Sequence, residues 1–416
     1  MKFASSWVSA GVDKAFEALR ERVKAPISIE LWDGRLFALG PDPKVSLKLH
    51  KADALRHLLN PTLGSLAEAY VEGDFAVDGS IRDVIRAADQ LAGGAGIAAW
   101  QRVAYAARRH TRRIDRDAIR RHYDVSNEFY QLWLDKRMVY SCAYFRTGSE
   151  DIDTAQVQKL DHICRKLRLC AGERFLDIGC GWGGLILHAA ANYGVDATGI
   201  TLSETQFRLA EQRIREQGLE GRCRVELIDY RDLKGEEVFD KIASIGMFEH
   251  VGLRNLPVYF GTVRRLLRER GLFLNHGITS SDVENREVGS EAGGFINKYV
   301  FPHGELAHVA VAIREMAAQG FEVADVESLR PHYAKTLEHW SDRLEHRLSE
   351  ASAHVDAKTL RVWRVYLMGS SYGFAQGWIN VYQMLGSRQT QPGATELPLT
   401  REDMYPEPEH AANAPS

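Results

Sequence analysis

Between residues 170 and 280, short apolar runs alternate with stretches whose apolar residues recur at helical spacing. The runs Arg174–Ile178, Ala197–Thr201, Arg224–Ile228, Lys241–Ile245 and Leu272–Gly277 predict strands, and Ile186–Asn192, Thr205–Gln217 and Leu256–Leu267 predict helices. Such alternation belongs to a doubly wound α/β sheet. Two long helical stretches follow, near Leu337–Ala351 and Leu360–Leu385. The first hundred residues are patterned differently. Ile27–Trp32 and Arg35–Leu39 flank Asp33-Gly34, a pair favoured in type I′ hairpins, and Val45–Leu49 alternates as a third strand. Helical patterns cover Leu63–Glu72, opened by Pro61-Thr62, and Ile81–Leu91, before Gly93-Gly-Ala-Gly96 breaks the pattern. The expected organisation is a small N-terminal α+β domain over 1–100, a basic helical linker over 101–121, an α/β domain over 122–390, and an extended or disordered tail over 391–416.

Composition adds bounds. The chain has 416 residues, long for one domain, with 45% apolar and 26% charged residues, as in an ordinary soluble protein. No apolar run reaches the length needed to cross a bilayer. The start, Met1-Lys-Phe-Ala-Ser-Ser-Trp-Val8, is broken by serines and soon meets Asp13 and Lys14, so an amphipathic helix is expected there rather than a secretory signal. Cys142, Cys164, Cys170, Cys180 and Cys223 lack the spacing of a disulfide framework or zinc site, which points to a reducing cytoplasm and no metal. Net charge is only −3, but Arg108, Arg109, Arg112, Arg113, Arg116, Arg120 and Arg121 are opposed locally by Asp115 and Asp117 alone. On a helix, Arg108, Arg112, Arg116 and Arg120 form one stripe. A solvated face with Arg–Asp pairs is the plain alternative. The single sign favours a membrane-contact face, since an anionic leaflet is worth about 1 kcal/mol per basic residue. No base-reading module accompanies the stripe, so nucleic acid is not expected as a partner.

The segment Phe175-Leu-Asp-Ile-Gly-Cys-Gly-Trp-Gly-Gly184 joins a predicted strand to a helix through Gly179, Gly181 and Gly183. It satisfies both G-x-G-x-G and G-x-G-x-x-G, so by itself it implies only a nucleoside-like cofactor at the strand's carboxyl edge. A dinucleotide site places an acid at the end of the next strand. Here that strand ends in Thr201, and Glu204 falls in the first turn of a helix capped by Ser203. Thr201 and Gln206 are better placed to meet a ribose.

Further motifs are His122-Tyr-Asp-Val-Ser-Asn127, Tyr140-Ser-Cys-Ala-Tyr-Phe145, Gly199-Ile-Thr-Leu-Ser203, Asp229-Tyr-Arg-Asp-Leu233, Ser244-Ile-Gly-Met-Phe-Glu-His-Val-Gly252 and Ile296-Asn-Lys-Tyr-Val-Phe-Pro302. With the glycine loop, they make the chain resemble the cyclopropane fatty acid synthase family over about Pro61 to Tyr405. The resemblance implies a Rossmann-like class I methyltransferase sheet with helical additions, S-adenosylmethionine as cofactor, and unsaturated phospholipid acyl chains as substrate. It also implies a lipid-associated N-terminal domain, a cytoplasmic protein peripheral on the inner membrane face, and leaves a homodimer open. Methyl-branched products and a non-catalytic lipid-binding relative are the competing readings.

An alkene is a poor nucleophile, so the methyl donor must be strongly electrophilic, and ring closure then needs a base beside the new methyl. The resemblance implies bicarbonate as that base, caged by Glu249, His276, Tyr333 and the backbones of Cys142 and Ile278, with Glu249 expected to fix the His276 tautomer. Plainer readings exist: Cys142 as a small buried hydrophobe and His276 as a core histidine; Glu249 with His250 as a metal pair matches no common site spacing. Cofactor contacts implied are Tyr140, Ser141, Gly179, Gly181, Gly183, Thr201 and Gln206, with Asp229 and Tyr230 at the adenine. Asp177 is expected to hold the loop backbone. Tyr299 and Phe301 either line an acyl channel or pack in the core. Ser370 stands where many relatives carry a cysteine once proposed as nucleophile, which excludes that covalent route.

Overall fold

The computed structural model describes residues 13–14, 16–59, 61–93, 125–283, 294–300, 305–389 and 397–405; the arginine stripe and Phe301 lie outside them. The chain forms two compact units, one from residues 1–106, 286–302 and 340–378, the other from 107–285, 303–339 and 379–416. No helix among the described residues is long and apolar enough to cross a membrane.

In the first unit, strands β1 (Ile27–Glu30), β2 (Leu36–Ala38), β3 (Val45–Leu49) and β4 (Phe75–Asp78) form a sheet of order β2-β1-β3-β4. The β1–β2 pair is antiparallel as the hairpin signal predicts, but Ile29 lies opposite Phe37, which makes Trp32-Asp33-Gly34 a three-residue loop with only Gly34 at positive φ, +86°, in place of the expected type I′ turn; β1 and β3 are parallel. The helix Leu63–Glu72 begins with a capping box between Thr62 and Ser65. Sequence-distant segments complete this unit. From the helix Ala357–Ala375, Arg361 donates twice to the Val71 carbonyl, Arg364 bridges Glu345 and the Tyr70 hydroxyl, and Tyr372 donates to Asp89. Tyr299 belongs here too, its hydroxyl donating to Glu72 at 2.6 Å.

The second unit holds a seven-stranded sheet of order β10-β11-β9-β8-β5-β6-β7. Its strands are β5 (Arg174–Ile178), β6 (Asp196–Thr201), β7 (Cys223–Leu227), β8 (Phe239–Ile245), β9 (Leu267–Ser280), β10 (Phe321–Ser328) and β11 (Ile379–Arg388). All neighbours pair in parallel except β11, which runs antiparallel to both β9 and β10. The chain winds from β5 out to β7, then returns to β8 on the other side of β5. The carboxyl ends of β5 and β8 therefore diverge, and a crevice opens between their loops.

Helix was expected over Leu360–Leu385, but it stops at Ala375, and Gly377, at φ +74°, turns the chain into β11. Because β11 is buried on both faces, its apolar run carries no period that tells strand from helix. The helix expected from Leu337 begins earlier, at Arg330.

Candidate active site

Three features converge in the crevice of the second unit: the glycine loop after β5, the threonine end of β6, and the acidic end of the loop after β7. They line a cavity of about 140 Å³. Gly179, Gly181 and Gly183 adopt φ of +83°, +55° and +83°, backbone that side chains resist, and a Cβ on Gly179 would lie 3.0 Å from the Met247 side chain. Gly179 and Gly181 line the cavity; Gly183 instead starts the helix Gly184–Tyr193. At the β6 edge, Thr201 Oγ1 donates to Gln206 Oε1 at 2.9 Å, leaving the Gln206 amide NH₂ as a donor. Ser203 caps the following helix, and exposed Glu204 pairs with Arg208, so neither is a ribose ligand. Asp229 accepts from the Arg231 guanidinium at 2.9 and 2.6 Å, and Tyr230 lies under that guanidinium. Tyr140 and Ser141 line the same cavity, Tyr140 within an aromatic cluster of Tyr130, Trp133 and Trp182.

Asp177 departs from expectation. Its carboxylate, 2% exposed, accepts nothing from the glycine loop; Oδ1 has no partner, and the residue lines the cavity. Burial pushes its carboxyl up to about 7, with Lys159 pulling the other way.

A second polar cluster sits where β8, β9 and β11 meet. Glu249, in the turn after β8, accepts from the Ile278 backbone N–H through Oε1 at 2.6 Å, while Oε2 is buried without a partner. Burial raises this carboxyl to about 7, the Ile278 hydrogen bond opposing. Because Glu249 occupies the Ile278 N–H, Ile278 has only its carbonyl to offer a ligand. His276 is on the same face of β9, two residues before Ile278, and burial holds its pKa well below the usual value, so the ring is neutral. Its Nδ1 meets Gln383 Nε2 at 3.3 Å, not Glu249. The expected Glu249–His276 tautomer pair is therefore replaced by Gln383–His276. With the amide NH₂ donating to Nδ1, the ring proton sits on Nε2.

Cys142 is fully buried, its thiol pushed far up by desolvation, so no thiolate forms. Its backbone N–H finds no acceptor among the described residues. The Cys142 segment is fastened to the helix from Arg330: Ala143 N–H donates to Thr336 Oγ1 at 3.0 Å, one helical turn after buried Tyr333. Cys142 Sγ meets the Leu329 carbonyl at 3.8 Å, Leu329 N–H donates to Val381, and Val381 pairs with Ile278 across β11 and β9. One continuous chain of contacts thus links the Cys142 segment to Glu249.

Two residues that sequence reading passed over stand out. Gln156 and Lys159 lie at i, i+3 on the helix Ile152–Lys166, both buried, and both grip Ser141. Their signal was polar side chains on a face whose spacing calls for core. Gln383 was missed because its strand read as helix.

A family model described as mycolic acid cyclopropane synthetase matches residues 110–384, and one for a domain of unknown function matches 16–95. A Pseudomonas putida protein named "Probable fatty acid methyltransferase" is 48% identical over 91% of this chain and 96% of its own length. The Escherichia coli cyclopropane-fatty-acyl-phospholipid synthase is 37% identical over 65% of this chain and 68% of its own. Among solved structures, a mycolic acid cyclopropane synthase complexed with SAH and CTAB matches 65% of this chain and 98% of its own, at 34% identity and TM-score 0.62. The chain belongs to the mycolic acid cyclopropane synthetase family of S-adenosylmethionine-dependent methyltransferases.

Proposed function

We propose that this methyltransferase adds a methylene unit across a cis double bond of an unsaturated phospholipid acyl chain, closing a cyclopropane ring. The observation that carries the reading is Glu249: buried, half satisfied, with Oε2 unpartnered and Oε1 bound to the strand that also carries neutral His276. The residues present fit both small groups that the reaction needs. For the cofactor there is a free amide at Gln206, an unpartnered carboxylate at Asp177 and a hydroxyl at Ser141. For bicarbonate the proposed cage sets one acceptor, Glu249 Oε2, with the Cys142 N–H and the His276 ring N–H as donors, and the Tyr333 hydroxyl is assigned by the resemblance alone. One hydroxyl and two acceptor oxygens match that set. When bound, S-adenosylmethionine supplies an electrophilic methyl and bicarbonate a base for the proton that ring closure releases. The protein's part is to hold the anion with neutral donors, which leaves its basicity largely intact.

Mass spectrometry of lipids from an expressing host tests the product. The expected result is a gain of one CH₂ per modified chain that survives mild hydrogenation. A hydrogenation-sensitive or branched product would favour the second reading, a fatty acid methyltransferase, which the Pseudomonas putida relative supports.

The protein acts at the cytoplasmic membrane face, with residues 1–100 as its lipid-associated domain and Arg108, Arg112, Arg113, Arg116 and Arg120 against anionic lipid. Changing Arg112, Arg113, Arg116 and Arg120 to Gln is expected to weaken binding to anionic vesicles by about 100-fold or more at low salt, and to flatten its salt dependence. Unchanged vesicle binding would reduce the stripe to a solvated face.

A further inference from the structure

Lys159 is a buried ammonium with no carboxylate in ion-pair contact among the described residues. At 1% exposed it is as buried as Lys166, yet the two are treated differently. Lys166 pairs with Asp325 at 2.9 Å and Glu327 at 2.5 Å. Lys159 forms no ion pair among the described residues, and its one partner is the Ser141 hydroxyl at 2.8 Å. Buried charge left unpaired is costly, so an arrangement of this kind implies an anion supplied from elsewhere. Lys159 lines the same cavity as Ser141 and Asp177. The Asp177 carboxylate is also unpartnered and is not within ion-pair distance of the ammonium. One cavity therefore presents an unpaired cation and an unpaired anion held apart. An amino-acid zwitterion carries the complementary pair of charges, also held apart.

We propose that Lys159, with the Ser141 hydroxyl, anchors the α-carboxylate of the cofactor's methionine moiety, while Asp177 faces its α-ammonium. The proposal rests on the S-adenosylmethionine dependence of the family. Because Ser141 Oγ accepts from Lys159, its own hydrogen is free to donate to the same carboxylate. Gln156, three residues earlier on the helix, holds the motif in register, its Nε2 donating to the carbonyls of Val139 and Ser141 at 3.2 and 2.9 Å. Burial lowers the Lys159 pKa to about 8, opposed by Asp135 and Asp177 among others. A bound carboxylate would restore the charge.

Titration calorimetry of the full chain with three probes tests this: S-adenosylhomocysteine, its decarboxylated analogue, and 5′-methylthioadenosine. S-Adenosylhomocysteine is used because its neutral sulfur isolates the carboxylate from any effect of sulfonium charge. In the unmodified protein, removing the carboxylate is expected to weaken binding about 10- to 100-fold. In Lys159→Met, S-adenosylhomocysteine should weaken by a similar factor while the decarboxylated analogue and 5′-methylthioadenosine change less than about twofold, so that discrimination disappears. Equal weakening of all three ligands would make Lys159 merely structural and overturn the proposal. So would an unmodified protein that binds S-adenosylhomocysteine and its decarboxylated analogue equally, a result that needs no variant to fold. An unmodified protein that bound none of the three would overturn the cofactor assignment itself, and this inference with it.

Discussion

Changing Glu249 to Gln is expected to cut methyl transfer by about 100- to 10,000-fold while S-adenosylhomocysteine binds as tightly as before. The substitution is nearly isosteric, and the glutamine oxygen can still accept from the Ile278 N–H, so the turn after β8 and the edge of β9 keep their connection. What changes is the second oxygen. Oε2, an unpartnered acceptor in the native chain, becomes an NH₂ donor, added to the donors that the proposed cage assigns to Cys142, Tyr333 and His276. An anion whose own hydroxyl needs an acceptor then loses it. Glu249 does not line the cofactor cavity, so the loss should fall on the chemical step and not on cofactor affinity. Labelled-methyl incorporation into lipid, with calorimetry of S-adenosylhomocysteine on the same preparations, separates the two. Activity within a few-fold of the native protein would remove Glu249 from the mechanism; a parallel loss of ligand binding would make its role structural.

The parts of this site that were legible in the sequence are those where backbone chemistry dictates residue type. Three glycines at positive φ between a buried strand and a helix announce a ligand loop, and a threonine in place of an acid at the end of β6 argues against a dinucleotide. The central parallel strands β5, β6 and β8 were readable as short apolar runs. The antiparallel edge was not. In β11 both faces are covered, so its apolar residues lost the alternation that marks a strand, and the helix before it seemed to continue. That error carried into the site, because Gln383 sits on β11 directly opposite His276. With β11 read as helix, the only visible partner for the histidine was Glu249. Lys159 was hidden for a different reason. A lysine on a helix is read as solvent-facing, and that habit outweighed the core spacing that Gln156 and Lys159 share with Ile152 and Ile163.

Changing Asp177 to Asn should trade ligand binding for stability, with opposite signs that pH separates. The native carboxyl is raised from 3.8 to about 7 by burial, so the folded chain holds a proton that the unfolded chain has released across that window. The side that binds more protons is favoured at low pH, and native stability therefore falls as pH rises from about 4 to about 7, then levels off. Asparagine carries no such cost. The variant should match the native protein near pH 4 and exceed it at pH 8, by on the order of 1 to 4 kcal/mol given the size of the shift. Denaturation of the ligand-free proteins at the two pH values measures this. Binding runs the other way. A ligand ammonium selects ionised Asp177, so native affinity for S-adenosylhomocysteine should rise with pH through about 7, while the variant binds roughly 10-fold or more weakly with a flat profile. A variant less stable than the native protein at pH 8 would mean that the Asp177 charge is compensated within the protein. In that case the carboxylate belongs to the scaffold, since it would carry no uncompensated charge for a ligand to satisfy.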